Sequence, residues 1–306
     1  MMAYKSSRRV DAGAVMGAPF AALQWRLLLL WVLFLLLPVV LAALPLMGAL
    51  GGLLDHSTHA RACAQQFDAL MFSDLVHELA GEHAMLHGAL LASLLFVALL
   101  LPWLNGMVVA SGRAARALGF GALLKGGLVE YGRMFRLLLL SLLLYVAAAG
   151  LVRLGLDIAD DRSDAAVLES RAMTAQHVAW WVSGLVVVVA QAWVESARAA
   201  FIADAGLRSA AVAMMRGLLQ LLRRPLSTLL TYLLITLVGF AMALAIGLAR
   251  AHTTAVGTHG LLFGFLLSQL VVVVLGWTRM ARLFALAEVA RSLGGSSRRA
   301  GLSEVL

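Results

Sequence analysis

Six times along this chain an apolar run recurs that is long enough to cross the hydrocarbon core of a bilayer, which takes ~20 residues in helical form. The runs cover about residues 27–50, 86–109, 135–153, 177–197, 226–249 and 260–283. Stretches such as Leu137–Leu144 and Val186–Val189 lack the apolar–polar alternation of a barrel strand. A helix satisfies its own backbone groups in lipid, so each run is expected to be a transmembrane helix. Composition points the same way. Of the 306 residues, 62% are hydrophobic and 13% are charged, about half the ~25% charge of soluble domains. The expected fold class is all-α: a polytopic membrane bundle of six helices forming a single integral domain over 1–306.

The Lys and Arg residues sort to one side of these runs. Lys5, Arg8, Arg9 and Arg26 precede the first. Arg113 to Arg136, Arg198 to Arg224 and Arg279 to Arg299 fall at the second, third and fourth connections on the same side. Of the 24 basic residues only Arg61, Arg153, Arg162, Arg171 and Arg250 fall opposite, in loops expected at 51–85, 154–176 and 250–259. The opposite side carries acidic residues instead, Asp157, Asp160, Asp161 and Asp164 among them. By the positive-inside rule both termini are expected in the cytoplasm of a bacterial inner membrane. The first run is too long for the ~7–15-residue core of a signal peptide, so it is read as an uncleaved span. Cys63 is the one cysteine and cannot close an intramolecular disulfide. The net charge of +8 brackets apolar spans and forms no basic soluble surface, which argues against nucleic acid as a partner.

The chain also repeats itself. The fourth span ends in Trp193, Ala197-Arg198 and Asp204, the sixth in Trp277, Ala281-Arg282 and Glu288. Both follow W-x3-A-R-x5-[DE]. The second span ends more loosely, with Trp103 and Gly112-Arg113. Before the odd spans lie Gly17 and Arg26, Lys125-Gly126 with Arg133 and Arg136, and Arg216-Gly217 with Arg223 and Arg224. Stretches such as Leu207–Leu222 mix apolar residues with Arg at near-helical spacing, the pattern of an amphipathic helix lying in the membrane surface. Three helix hairpins of one topology, each preceded by an interfacial helix, are expected. Mitochondrial carriers share that layout, but no proline opens their P-x-[DE]-x-x-[KR] signature here. The segment from Asp204-Ala-Gly-Leu-Arg208 through Arg216-Gly217 to Arg224-Pro225 is similar to uncharacterised bacterial six-span inner-membrane proteins, including the membrane domain found beside glycerophosphodiester phosphodiesterases. That resemblance covers about residues 110–290 and implies an in-plane Arg/Gly helix running into a span. It implies no catalytic activity, because no soluble catalytic domain accompanies it.

Chemistry-bearing residues are few. His77, Glu78, Glu82, His83 and His87 crowd one extracytoplasmic stretch, and imidazoles and carboxylates at helical spacing can ligate Zn²⁺. The order is H-E-x-x-x-E-H, however, which misplaces the second histidine of the metalloprotease H-E-x-x-H. Glu195 and Arg198 are spaced for an i,i+3 ion pair. Gln191 and Gln269 lie deeper and suit interhelical hydrogen bonds. Gly239, Ala243 and Gly247 offer a small-residue face. No G-x-S-x-G elbow or Walker A loop occurs. The expected role is a non-enzymatic accessory or scaffold in the envelope that handles lipids or a partner membrane protein, with no cofactor. Arg216, Arg223 and Arg224 would meet anionic headgroups. A transporter or channel for a small or apolar solute is the alternative, and a metal-dependent extracytoplasmic site the third reading.

Overall fold

The structure, a computed structural model, describes residues 11–55, 83–114, 116–166, 168–253 and 257–294, together with Leu70, Ser73 and His77. These residues form eight helices: α1 Ala12–Ala21, α2 Trp25–Leu54, α3 His83–Arg113, α4 Phe120–Asp164, α5 Glu169–Ala203, α6 Ala210–Arg223, α7 Pro225–Ala251 and α8 Gly257–Gly294. Six of them, all but α1 and α6, are long and apolar enough to cross a membrane. The chain is therefore an all-helical polytopic membrane protein whose surroundings include the lipid bilayer.

Local chemistry explains the breaks. The Asp11 carboxylate accepts from the N–H groups of Gly13 and Ala14 at 2.9 and 3.2 Å and caps α1. Ser209 caps α6 in the same way through Val212. Pro225 then opens α7. It lacks an N–H and disfavours helical backbone at Arg224, so α6 stops there. The corresponding stretch before the third span holds glycines but no proline. It runs without a break into α4, a 45-residue helix about 67 Å long at 1.5 Å per residue. Of the three expected interfacial helices, two are thus separate and the middle one is fused to its span. The helices also outrun the apolar segments. α4 reaches Asp164 and α5 begins at Glu169, so much of the expected 154–176 loop is helical.

Three hairpins, α2/α3, α4/α5 and α7/α8, repeat one device. Trp103 Nε1 donates to the Leu124 carbonyl at 3.2 Å, Trp193 Nε1 to Met214 at 2.8 Å, and Trp277 Nε1 to Pro19 at 2.9 Å. Each tryptophan sits near the end of an even-numbered span and grips the segment that precedes the odd-numbered span of the next unit. The third grips α1, the segment of the first unit, so the three units close into a ring. Three residues beyond the gripped carbonyls stand Gly127, Gly217 and Ala22. A Cβ on Gly217 would lie 2.7 Å from the Ala197 nitrogen and 2.8 Å from the Trp193 oxygen. A Cβ on Gly127 would collide with Trp103 and Met107. Close backbone approach is what these glycines permit.

Inside the ring the last turns of α3, α5 and α8 meet. A Cβ on Gly112 would come within 2.9 Å of both Ile202 and Phe284. Leu104, Met107, Phe201, Leu283 and Leu286 are fully buried there. We call this the basic end, because Arg113, Arg198 and Arg282 belong to it.

The opposite halves of the spans are packed very differently. On α3, residues 90, 91, 92, 94, 95 and 96 are all exposed, which covers most of the helix circumference. Only Ser93 turns inward, and its hydroxyl donates to the Pro38 carbonyl of α2 at 2.7 Å. On α5, residues 176–185 are exposed apart from the single stripe of Ala179 and Ser183. On α7 and α8, Gly264 packs on Arg250. Each far half buries one narrow stripe, and Ser93–Pro38 and Gly264–Arg250 are contacts within a hairpin.

Candidate functional site

The even-numbered spans carry their polar residues just past the gripping tryptophans. Two residues after Trp103, Trp193 and Trp277 stand Asn105, Glu195 and Arg279; five residues after them stand Val108, Arg198 and Arg282. Both columns are therefore neutral in the first unit and charged in the other two. Because these turns converge, the charges are brought into the buried centre of the basic end.

Glu195 is the hub of that centre. Its Oε1 accepts from Arg198 Nη1 at 3.1 Å and lies 3.8 Å from Arg282 Nη2. Arg282 Nη1 donates to the Thr236 hydroxyl at 3.1 Å, and its guanidinium lies 5.1 Å from the Tyr232 ring centroid. Arg279 stands three residues before Arg282, on the same side of α8. It forms no ion pair among the described residues. Its guanidinium stands 5.6 Å from the Trp31 ring centroid instead. Two guanidinium groups thus share one carboxylate, and the third has only a ring. Several polar atoms here lack a partner among the described residues: Glu195 Oε2, Arg279 Nε, Arg282 Nε, the Asn105 Oδ1 and the Ser196 hydroxyl. Buried polar groups are normally satisfied, so this concentration of unmet donors and acceptors marks the spot.

A second carboxylate does related work at the rim. Glu130 of α4 accepts from Arg113 Nη1 at 2.7 Å and from Arg133 Nη1 at 3.0 Å. Arg113 also donates through Nε to the Phe201 carbonyl at 2.8 Å, which ties α3, α4 and α5 together. Gln220 of α6 donates to the Leu286 carbonyl at 3.3 Å, and Tyr145 of α4 donates to Gln191 Oε1 of α5 at 2.6 Å.

The residues singled out from sequence are placed as follows. Trp193 and Trp277 are gripping residues, as is Trp103. Arg198 and Arg282 meet at Glu195, while Arg113 lies ten residues after its tryptophan, not five, and serves Glu130. Arg216 pairs with Asp204 at 2.7 Å on the surface; Arg223 is exposed and Arg224 half-buried. Gln191 makes the interhelical bond expected of it, whereas Gln269 Oε1 has no partner among the described residues. Gly239 is a close-approach site; at Gly247 a Cβ would meet open space. Glu78 and Glu82 lie outside the described residues, as do Cys63 and the His83 side chain. His77 and His87 are exposed, and no group of three or more His, Cys, Asp or Glu able to hold a metal occurs among the described residues. Glu130 and Arg279 were not anticipated in these roles. Aligning the repeat on its tryptophans instead of its arginines would have put Asn105, Glu195 and Arg279 in one column.

Among protein-family models, curated proteins and solved structures, no match to this chain is found.

Proposed function

We propose that the chain is a non-enzymatic lipid-handling protein of a bacterial cytoplasmic membrane, with both termini in the cytoplasm and the basic end at the inner leaflet. The observation that carries this reading is the uneven packing. The hairpins are locked together at the basic end and stand free of one another over their far halves, where leucines, valines and phenylalanines are exposed around most of each helix. Apolar side chains exposed on so many faces call for acyl chains between the hairpins as well as around them. Placement of the basic end follows the side on which Lys and Arg concentrate. Helix α6 supports it. Val212, Met215, Leu219 and Leu222 form one exposed apolar stripe, Ala213 and Gly217 form the face packed on α5, and Arg216 and Arg223 remain at the surface. That division suits a helix lying at the headgroup level.

The fully buried side chains at the centre of the basic end favour lipid handling over solute passage, because they fill the place where a pore would run. The test is purification in a mild detergent followed by delipidation. Firmly retained phospholipid, removed only with loss of the folded state, supports the reading. A protein that delipidates fully and stays folded contradicts it. Flux of a small solute through reconstituted liposomes would favour a transporter instead.

A further inference from the structure

The cationic centre asks for something the chain itself does not supply. Arg198 and Arg282 stand at Glu195, Arg279 lies one turn before Arg282, and all four belong to the converging ends of α5 and α8. Glu195 and Arg198 are more than nine-tenths buried. The carboxylate spends one oxygen on two arginines and leaves the other unbonded. Arg279 has a ring beneath it but no anion, and Nε of both Arg279 and Arg282 is buried without an acceptor. Two positive charges remain in excess. Excess charge in a membrane protein's interior is costly and is kept where it has a counter-ion or a function. Arginine's planar fork matches the oxygens of phosphate and carboxylate.

We propose that Arg279 and Arg282, steadied by Arg198 and Glu195, bind a phosphate-bearing anion where α5 and α8 converge, beside the apolar centre of the basic end. Glu195 holds Arg198 and one edge of Arg282, so the remaining donors are left for the ligand. The Trp31 and Tyr232 rings lie beside the two guanidiniums, and Asn105 and Ser196 supply neutral polar groups from the same convergence. The residues lie two and five positions past the gripping tryptophans, at about the depth of headgroups if those tryptophans mark the interface. A doubly negative phosphate monoester would neutralise the excess. The inference deepens the lipid-handling reading by naming the headgroup chemistry, but free phosphate has the same chemistry and is tested beside it.

The full-length protein is placed in phosphatidylcholine nanodiscs. One sample receives inorganic phosphate and the other carries phosphatidic acid in the disc; ³¹P resonance and native mass report a bound phosphate. The wild type is expected to retain one phosphate-bearing adduct. Arg279→Gln combined with Arg282→Gln should weaken it at least about tenfold, a factor equal to ~1.4 kcal/mol, while Arg171→Gln, exposed at the opposite end of the spans, leaves it unchanged. Arg279→Lys keeps the charge but loses the fork. It provides a folded comparison if the double variant does not assemble, and it should bind more weakly with a displaced ³¹P signal. Binding of phosphatidic acid alone assigns a headgroup site. Binding of inorganic phosphate alone keeps the site but detaches it from lipid handling. No adduct from either probe, or adducts held equally well by the wild type and the arginine variants, overturns the proposal; in the latter case retained lipid would still leave the lipid-handling reading standing.

Discussion

Removing the Glu130 charge is the sharpest test of the packing at the basic end. The carboxylate is 6% exposed and holds two guanidiniums, Arg113 at 18% and Arg133 at 25% exposure. Glu130→Gln keeps the shape but leaves both arginines without a counter-charge. Breaking a buried pair from one side typically costs 3–5 kcal/mol, because the remaining charge stays buried and uncompensated. Arg133 can turn partly toward water and Arg113 keeps its bond to the Phe201 carbonyl, so the expected loss is at the low end, about 3 kcal/mol. The measurement is reversible denaturant unfolding in a fixed detergent, followed by tryptophan fluorescence. Arg216→Gln is the matched control: Arg216 and Asp204 are 46% and 40% exposed, and such a pair is worth no more than ~1 kcal/mol. Adding Arg133→Gln to Glu130→Gln should restore part of the loss, since it removes one of the stranded charges. A Glu130→Gln effect no larger than that of Arg216→Gln would refute the reasoning.

Other consequences follow from the same geometry. Gly217→Ala drives a methyl against the backbone of Ala197 and Trp193, where nothing flexible can yield; a loss of about 1–3 kcal/mol is expected, whereas Gly247→Ala meets open space and should be neutral or stabilise by up to ~1 kcal/mol in the same unfolding assay. Trp277→Phe deletes the bond that closes the ring onto α1 and should cost about 1 kcal/mol; faster hydrogen exchange confined to residues 12–21 would show that α1 has been released. Arg223→Glu should weaken flotation with anionic liposomes more than Arg216→Glu does, because Arg216 is already engaged by Asp204, and equal effects would contradict that ordering.

The spans were legible because apolar length is a one-dimensional property that a sequence displays directly. So was the separate α6, which announces itself with Ser209 at one end and Pro225 at the other. The fusion of the middle amphipathic segment into α4 was less visible, since it depends on the lack of a breaker over Lys125–Arg136, where Gly126, Gly127 and Gly132 look like interruptions but are tolerated. The repeat could be seen in Trp193 and Trp277, but aligning Arg113 with Arg198 and Arg282 shifted the first unit by five residues. Matching arginines records charge at a membrane face, where many positions serve equally well. The tryptophans record one hydrogen bond to one carbonyl. The Glu195 cluster was only half visible. The i,i+3 spacing to Arg198 is local, while the approach of Arg279 and Arg282 depends on how two helices cross. Nor does any sequence pattern say that the far halves of the hairpins stand apart, because a lipid-facing leucine and a core leucine read alike.

That separation is tested most directly by an oxygen-accessibility scan with nitroxide labels on single cysteines at residues 90–96, in a Cys63→Ser background in liposomes. Hairpins that stand apart predict high accessibility at Leu90, Leu91, Ala92, Leu94, Leu95 and Phe96, with shielding confined to Ser93. A regular helical alternation, with about half of the positions shielded as in a closed bundle, would contradict it.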